Sequence, residues 1–335
     1  MKKKRFTKPL NYFKWSIQDE NNYQRLFRET TTKWYESKHR IVTPDEIKLI
    51  NDLPIVDCPY CNKANYIKYG KNYNGITKYK CKECNKIFTP LTGTLFDSKK
   101  IPISEWIEFI IHLFEFHSLK TSSSDNRNAQ TTGKYWLNKV FLALKNYQDN
   151  IMLSGNIYLD ETFFSVIKKD IQYKGKVKYK GLSRNKLCVG CATDNLHHIF
   201  IFEGYSKPNK ESTLKTFKNH IMPNSTIIHD LESSHSILFD FIPNLRSKEY
   251  KSIISKFVED KKNPLYPINH MQMLLKEFMS AHSGFNRDNI QDWLNLFAFL
   301  MNPPFDRNEK IIELLKLMIN TRITLRFKKN KSKKS

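Results

Sequence analysis

Two pairs of cysteines have the spacing of a structural zinc site. Two residues lie between Cys58 and Cys61 and two between Cys81 and Cys84, and nineteen residues separate the pairs. Each pair can form a tight knuckle, and two knuckles supply the four tetrahedral thiolate ligands that Zn²⁺ prefers. The spacing therefore predicts a structural zinc ion, and four thiolates would leave this ion no open position for catalysis.

Two aspartates each end a short apolar run, which is the pattern of an acid at the end of a strand. Asp160 closes 156–160, and Asp230 closes 225–230. Two such acids on neighbouring strands could share Mg²⁺ or Mn²⁺ for in-line phosphoryl transfer. The residues alone leave open a second interpretation, in which each aspartate is a turn residue that ends its strand.

The composition favours a polyanionic partner. The 335 residues carry a net charge of +23 and are 40% hydrophobic, which indicates a globular protein that is attracted to nucleic acid. No apolar run reaches the roughly 20 residues that span a bilayer. The basic start, 1–5, lacks a following apolar segment. We therefore expect a cytoplasmic, nucleoid-associated protein that binds DNA and no membrane.

The periodicity predicts five segments. They are an N-terminal helical segment (1–50), a zinc ribbon built on a β-hairpin (51–97), a segment resembling a helix-turn-helix (98–150), an α/β domain (151–320) and a basic tail (321–335). The last domain alternates strands and helices in the order β, β-hairpin, α, β, α, α. This order predicts a mixed sheet with flanking helices.

Several basic residues are candidates for DNA contact. In the zinc segment, residues 58–87 carry seven lysines and five tyrosines with one glutamate. A spacer or protein-binding role for this segment stays open. The helical stretches 104–117 and 131–144 flank the polar stretch 120–130, so the second helix could present Lys134, Tyr135 and Lys139 to a major groove. A plain helical linker would have a similar pattern.

The loop 168–186 carries eight basic residues and one aspartate. We expect it to guide the DNA backbone through Lys178, Lys180 and Arg184, although a solvated loop without a specific role would also have this composition. Cys188 and Cys191 are three apart within a predicted strand, so they should point to opposite faces and belong to the core.

Glu161, Glu232 and His235 lie beside the two aspartates in sequence. They could support the acids, but we favour the interpretation that they are ordinary surface residues.

In combination, seven segments resemble bacterial insertion-sequence transposases of the zinc-ribbon type, the family numbered fifteen-ninety-five. The resemblance runs from about residue 55 to 326. The matching segments are 88–96, 158–163, 181–186, 229–235, 269–276, 282–291 and Asn302-Pro303-Pro304. It implies a zinc ribbon, a helical DNA-binding segment and an RNase H-like domain that binds Mg²⁺ or Mn²⁺ and performs DNA cleavage and strand transfer.

By this resemblance, Asp160 and Asp230 are two acids of a DDE-like site. The family pattern Asn-x-x-His-x-x-x-Lys corresponds to Asn269, Gln272 and Lys276, so glutamine stands where the pattern has histidine. Gln272 and Lys276 are four apart and share a helical face. A glutamine oxygen lacks a carboxylate's charge, so Asn269 or the neighbouring His270 could supplement it as a ligand, and Lys276 could contact a DNA phosphate.

The resemblance predicts binding of terminal inverted repeats and a homo-oligomer that brings two DNA ends together. Two alternatives remain. A regulatory or catalytically decayed DNA-binding protein would keep the charge and the zinc ribbon, and Gln272 favours it. A different RNase H-like nuclease, for example one that resolves branched DNA, is disfavoured by the zinc-ribbon and helical front end.

Overall fold

The computed structural model describes residues 18–37, 43–97, 99, 101–126, 128–250, 262–282 and 287–325. The chain forms two compact units. The first combines Met1–Pro90 with Lys99–Trp106, and the second combines Leu91–Ser98 with Ile107–Ser335. The finer division into five segments stays a prediction.

The elements of the described residues are as follows. The helices are α1 (Asn22–Ser37), α2 (Pro44–Asn51), α3 (Ile103–Phe114), α4 (Leu119–Asp125), α5 (Gln130–Ala143), α6 (Lys210–Phe217), α7 (Ser236–Phe241), α8 (Tyr266–Ala281), α9 (Ile290–Met301) and α10 (Arg307–Asn320). The strands are β1 (Tyr66–Lys71), β2 (Thr77–Cys81), β3 (Ile87–Phe88), β4 (Asn156–Ser165), β5 (Tyr173–Lys174), β6 (Val177–Lys178), β7 (Lys186–Thr193), β8 (His198–Tyr205), β9 (Thr226–His229) and β10 (Arg246–Glu249).

The first unit is built around the antiparallel sheet β1-β2-β3. The turn between β1 and β2 contains Gly75 at a φ of 81°, a conformation that glycine adopts without strain. Asn51, at the end of α2, donates its side-chain amide to the carbonyl of Gly75 (3.2 Å) and accepts from the N–H of Thr77 (2.8 Å). These two bonds attach α2 to the hairpin, which the sequence predicts around residues 74–75.

The second unit contains a five-stranded mixed sheet in the order β10-β9-β4-β7-β8. Strand β4 pairs in parallel with β9, and β9 pairs in parallel with β10. Strand β7 is antiparallel to both β4 and β8. The predicted β7–β8 hairpin is confirmed. Its turn places Asn195 at a φ of 75°, and the Asp194 carboxylate accepts from two backbone N–H groups of the turn.

Helices cover both faces of this sheet. On one face a core of aliphatic side chains from β4, β8 and β9 packs with α6 and α7, and Phe217 and Leu238 are fully buried there. On the other face α8 packs on β4 and β7, and α9 packs on β8. Phe200 of β8 contacts Phe297 of α9 with ring centroids 4.8 Å apart. The mixed α/β architecture expected from the sequence is therefore observed.

The polar stretch 120–130 is not simply a turn, because it contains most of α4. Ser118 caps this helix by accepting from the N–H of Thr121 (3.1 Å). Ser122 and Ser123 are buried and donate their hydroxyl groups to backbone carbonyls one turn earlier. Gly133 of α5 permits the close approach, since a Cβ there would lie 2.0 Å from the Ser123 hydroxyl. The segment therefore has three helices where two were predicted.

Three further differences concern positions of elements. The sequence pattern predicts the helix after the hairpin at 214–221, whereas α6 begins at Lys210 and ends at Phe217. The edge strand β10 has no apolar pattern in its sequence, and all four of its residues are exposed. The predicted loop at 168–186 contains the short ribbon β5–β6.

Residues 1–17 and 326–335 lie outside the described residues, so the predictions made for them stay untested. Among the described helices, none is both long enough and apolar enough to cross a membrane.

Candidate functional site

The four cysteines of the first unit converge on one point. The Sγ atoms of Cys58 and Cys84 are 3.7 Å apart, and those of Cys61 and Cys81 are 3.6 Å apart. All four sulfurs lie within 4.8 Å of one another. Tetrahedral zinc with Zn–S bonds of about 2.3 Å requires sulfurs about 3.8 Å apart. The cluster can therefore hold a metal ion with little movement.

Both knuckles have the same backbone form. The first cysteine of each, Cys58 and Cys81, donates its N–H to the carbonyl five residues later, at 2.9 and 3.0 Å. Asn62 and Asn85 follow the second cysteine with φ values of 57° and 55°, a conformation that asparagine tolerates. The N–H of Cys84 points at the Cys81 sulfur (3.5 Å) and lowers the pKa of Cys81 to about 7. This favours the thiolate form of Cys81, the form that can bind a metal ion. In the same cluster, the effect of a backbone N–H on the pKa of Cys61 is outweighed by burial and the neighbouring thiols, which raise this pKa to about 12.

The cysteine cluster is also the centre of a small core. Cys58 and Cys81 are buried with Tyr79 and Phe88. Tyr66 packs on these rings at centroid distances of 5.6 and 5.8 Å, and its hydroxyl donates to a backbone carbonyl at 2.6 Å. A metal ion bound by the four cysteines would add to the stability of so small a core.

In the second unit, Asp160 and Asp230 lie side by side. Leu159 pairs with His229 across the parallel strands β4 and β9, and the two aspartates are the next residues. Adjacent strands are about 4.8 Å apart, and partners in register point to the same face. The charge of Asp230 acts on the pKa of Asp160, which agrees with this proximity.

The predicted end of the first strand is wrong. Strand β4 continues past Asp160 to Ser165, because these residues pair with β7. Asp160 therefore lies within a long strand, at the level where its other neighbour, β9, ends. Because the residues before and after Asp160 both pair with β7, the backbone that carries this carboxyl group is held on either side.

Asp160 has a strongly perturbed pKa. Burial, followed by the charges of Glu161 and Asp230, raises the pKa of Asp160 to about 7. The N–H of Glu161, which donates to Asp160 at 2.8 Å, opposes this rise. Asp160 is thus a buried carboxyl group with two further acids close by, and its ionised form is poorly compensated. A divalent cation between the two aspartates would compensate it.

Helix α8 brings three further predicted residues to this face. Gln272 is buried, whereas Asn269 and Lys276 are exposed. The Gln272 side chain favours the ionised form of Asp160, so it lies close to that carboxyl group. The Nε2 atom of Gln272 is nevertheless buried, and it has no partner within hydrogen-bond geometry among the described residues. The same helix face lines an open groove of about 490 Å³, formed by Asn269, Gln272, Met273, Lys276, Glu277 and Ser280.

Cys188 and Cys191 are core residues on opposite faces, as predicted. Cys191 pairs in register with Asp160. Burial raises the pKa of Cys191, the charges of Asp160, Glu161 and Glu203 raise it further, and Lys276 opposes the rise. On the other face, the Cys188 thiol donates to Glu203 at 3.6 Å.

A hydrogen-bonded chain runs behind the aspartates on the opposite face. Glu161 Oε1 is 2.7 Å from His235 Nε2, and His235 Nδ1 is 3.0 Å from His229 Nδ1. His229 Nε2 is 3.0 Å from the hydroxyl of Ser247 on β10. Burial, followed by the charges of Asp230 and Glu232, raises the pKa of Glu161 to about 8.

The interpretation of Glu161 and His235 as surface residues is therefore wrong, since they are 9% and 0% exposed. Strand alternation was the available signal. Glu161 is two residues after Leu159 and four after Ile157, both fully buried, so it must enter the same core face. A buried carboxyl group there needs a partner, and the histidine six residues after His229 supplies it.

His229, Asp230 and His235 also have ligand atoms within 4.8 Å of one another. However, all four ring nitrogens of the two histidines already have hydrogen-bond partners. A metal at this cluster would have to break that chain. The pair Asp160 and Asp230 is therefore the better candidate for a divalent ion.

The predicted DNA-contacting residues divide into two groups. Lys134, Lys178, Lys180 and Arg184 are exposed. Lys139 is buried instead, and its ammonium group donates to the carbonyl of Leu95. Burial lowers the pKa of Lys139 to about 8. The prediction that Lys139 faces DNA is wrong, because this lysine joins α5 to the segment preceding α3.

Tyr135 is half-buried, and its hydroxyl donates to the carbonyl of Leu325. Burial raises the pKa of Tyr135. Its ring also lies 4.6 Å from the ammonium group of Lys139. These contacts leave only part of the side chain open to a ligand.

No protein-family model matches the chain. An uncharacterized protein in transposable element ISH50 of Halobacterium salinarum is 31% identical over 67 residues, which are 20% of this chain and 21% of that protein. Insertion element iso-IS1N protein InsA of Shigella dysenteriae is 28% identical over 91 residues, which are 27% of this chain and 89% of that protein. The chain is similar to insertion-element proteins. It spans about a fifth of the halobacterial relative.

Two solved structures have low similarity to this chain. They are a simian T-cell lymphotropic virus intasome in complex with PP2A regulatory subunit B56 gamma (TM-score 0.29, 9% identity, 59% of this chain and 69% of that one) and a pre-cleavage Mos1 transpososome (TM-score 0.25, 9% identity, 63% and 75%). TM-scores at this level carry no argument about fold or function.

Proposed function

We propose that this protein is a transposase of the zinc-ribbon type, in the insertion-sequence family numbered fifteen-ninety-five, which cleaves DNA at the ends of its element and joins these ends to target DNA. The observation that carries the proposal is the pair Asp160 and Asp230, which directly follow the register pair Leu159–His229 of the parallel strands β4 and β9. The helix that bears Gln272 and Lys276 packs on β4. The similarity to insertion-element proteins agrees with it.

The strand order supports an RNase H-like domain. The sheet order β10-β9-β4-β7-β8 has one strand, β7, antiparallel to the other four. In chain order the first strand is therefore central, with a hairpin on one side and two parallel strands on the other. This is the arrangement of an RNase H-like sheet, and it places the first acid at the sheet centre.

Asp160 and Asp230 would hold Mg²⁺ or Mn²⁺, and the residues present fit such an ion. The carboxylates crowd negative charge, and the unsatisfied Gln272 amide beside them can turn to present its oxygen. When bound, the metal supplies activation of a water or 3′-hydroxyl group and stabilisation of the leaving oxygen. Lys276 is exposed on the same helix and can contact the scissile phosphate.

The chain behind the acids holds them in place. Glu161, which follows Asp160, is hydrogen-bonded to His235. His235 in turn is hydrogen-bonded to His229, which precedes Asp230. The segments that carry the two acids are therefore linked. Glu161 and His235 do not face the α8 groove. We assign them a positioning role.

The substrate is DNA, bound first at the terminal inverted repeats. The first unit offers exposed tyrosines beside lysines, since the ammonium groups of Lys78 and Lys80 lie 5.8 and 5.6 Å from the Tyr69 ring centre. In the second unit, Lys134 of α5 and the basic ribbon with Lys178 are exposed. These groups are suited to phosphate contact. Joining two ends requires at least a dimer at synapsis.

Strand transfer in vitro tests the proposal. Purified protein is mixed with labelled DNA that carries the ends flanking its own gene, in Mg²⁺ or Mn²⁺. We expect metal-dependent nicking at the 3′ ends and joined products, both lost in Asp160→Asn and Asp230→Asn. Asp240→Asn, an exposed acid on α7, is the matched control and should stay active. Equal activity of the Asp160 and Asp230 variants would refute the proposal.

A DNA-binding protein without catalysis is the second candidate, and the neutral Gln272 favours it. In that case the protein binds the ends without cleavage in either metal. The variant Gln272→Glu then distinguishes a transposase that has lost a metal ligand from a protein that never cleaves DNA. Cleavage that appears only in this variant would identify a decayed transposase, whereas cleavage by the wild type excludes this candidate.

A further inference from the structure

A second group of potential metal ligands lies in the helical segment of the second unit. His112 is in the last turn of α3, His117 is in the loop that follows, and Asp125 ends α4. One ligand atom of each residue lies within 4.8 Å of the other two. His112 Nδ1 is 3.8 Å from Asp125 Oδ2, and the two imidazole centroids are 5.2 Å apart.

The backbone brings these side chains together. Phe116 adopts a φ of 58°, which turns the chain back, and the N–H of His117 donates to the carbonyl of His112 at 3.0 Å. The Phe116 ring packs on Phe278 of α8 with centroids 5.1 Å apart. A phenylalanine in the left-handed region is uncommon, so packing must maintain this turn. The two histidines are thereby held at one end of α3.

Both histidines have an unused nitrogen that faces inward. Nδ1 of His112 and Nδ1 of His117 are buried and have no hydrogen-bond partner among the described residues. Buried polar atoms are normally paired, and an unpaired one calls for an ion or water. The other nitrogen of His117, Nε2, lies 4.0 Å from a carboxylate oxygen of Glu115, which Arg307 holds at 2.6 Å.

We propose that His112, His117 and Asp125 bind one divalent transition-metal ion, with both Nδ1 atoms and the Asp125 carboxylate as ligands and solvent in the remaining positions. Two imidazoles and a carboxylate suit Zn²⁺ and not Mg²⁺, which prefers oxygen. Bonds of about 2.0–2.1 Å require ligand atoms about 3.4 Å apart. The three ligand atoms lie within 4.8 Å of one another, so they need to close by at most about 1.4 Å. Asp125 is 46% exposed on its side chain, so the ion can enter from solvent.

This site differs from the histidine cluster beside the catalytic acids. There every ring nitrogen of His229 and His235 is hydrogen-bonded, whereas here the two Nδ1 atoms are free to bind. A carboxylate is a usual partner of the second nitrogen of a metal-bound imidazole, and the Glu115 carboxylate lies 4.0 Å from Nε2 of His117. A bound ion would join α3 to α4, and α4 packs tightly on α5 at Gly133. The inference does not depend on the proposed function.

Zinc titration of the full-length protein tests the site. The cysteine cluster is first filled with one equivalent of Zn²⁺, and excess Mg²⁺ is added to occupy the aspartate pair. Further Zn²⁺ is followed by calorimetry, with elemental analysis after gel filtration. We expect a second zinc per wild-type chain. His117→Gln and Asp125→Asn should lose it, and Glu115→Gln should bind it about 10- to 100-fold more weakly, as for other partners of metal-bound histidines.

His197→Gln is the matched control. His197 Nδ1 lies 3.9 Å from Asp194 Oδ1, a similar separation, but this pair belongs to none of the three-ligand clusters of the described residues. The control should keep the second zinc. Thermal unfolding gives a second measurement: added Zn²⁺ should raise the Tm of wild type and control but not of His117→Gln, while all three should share one Tm before the addition.

A single zinc per wild-type chain would overturn the proposal. So would a second zinc that persists unchanged in His117→Gln and Asp125→Asn, because the ion would then bind elsewhere.

Discussion

Asp160→Asn should stabilise the protein in the absence of Mg²⁺ while it abolishes strand transfer. Burial, then Glu161 and Asp230, raise the pKa of Asp160 from 3.8 to about 7. An increase of about three pH units corresponds to about 4 kcal/mol at 1.36 kcal/mol per unit. Local rearrangement and water entry reduce this upper limit. We therefore expect the free energy of unfolding to rise by about 1–3 kcal/mol at pH 8.

The sign follows from the protonation of the two states. Between about pH 4 and pH 7 the unfolded chain ionises Asp160 while the folded chain keeps it protonated. The contribution of this group to wild-type stability therefore falls across that window and is constant above it. The asparagine variant lacks this loss, so the difference between the two proteins should widen from pH 5 to pH 8.

Urea unfolding at pH 5 and pH 8 measures the effect, with Zn²⁺ present and Mg²⁺ removed. The exposed Asp240→Asn should change stability by no more than about 0.5 kcal/mol at either pH. Added Mg²⁺ should stabilise the wild type by about 1.4 kcal/mol at ten times its Kd and leave Asp160→Asn unchanged. If Asp160→Asn is less stable than the wild type at pH 8, the reasoning about crowded charge is refuted.

Four further perturbations test other parts of the fold. His235→Ala should destabilise by about 2–4 kcal/mol in chemical denaturation, because it leaves buried Glu161 without its partner. Lys310→Met should cost about 2–4 kcal/mol, since three backbone carbonyls at the end of α9 lose their common donor. Gly190→Ala should cost about 1–3 kcal/mol by thermal melting, because its Cβ would lie 2.7 Å from a buried phenylalanine ring of α6. Cys81→Ser should make the first unit sensitive to limited proteolysis while the second unit stays resistant, and cleavage unchanged from the wild type would contradict a metal-dependent first unit.

Features set by short stretches of chain were predictable. The cysteine spacing and the glycine turn at residue 75 define the metal cluster and its hairpin within about 25 residues. The turn at Asn195 likewise defines the β7–β8 hairpin. In each case the partners are close in sequence, so turn geometry and thiolate spacing are sufficient.

Features that depend on residues distant in sequence could not be predicted from the sequence. The serine-rich α4 has the polar sequence of a turn. It is a helix because its serine hydroxyl groups bond to its own backbone and pack against Gly133 of α5. Strand β10 is charged throughout, and only its pairing with β9 makes it a strand. Lys139 has the sequence pattern of a DNA contact, but in the fold its ammonium group donates a hydrogen bond to the carbonyl of Leu95.

The sequence by itself determined the four clustered cysteines, the basic character and the choice of the two aspartates as candidate acids. It could not determine which faces these groups occupy. The pairing of β4 with β9 places Asp160 beside Asp230, and the same pairing sends Glu161 to the opposite face, where His235 meets it. That division is decided by the tertiary structure, because a carboxyl group's partners and pKa depend on strands that are about 70 residues apart in the chain.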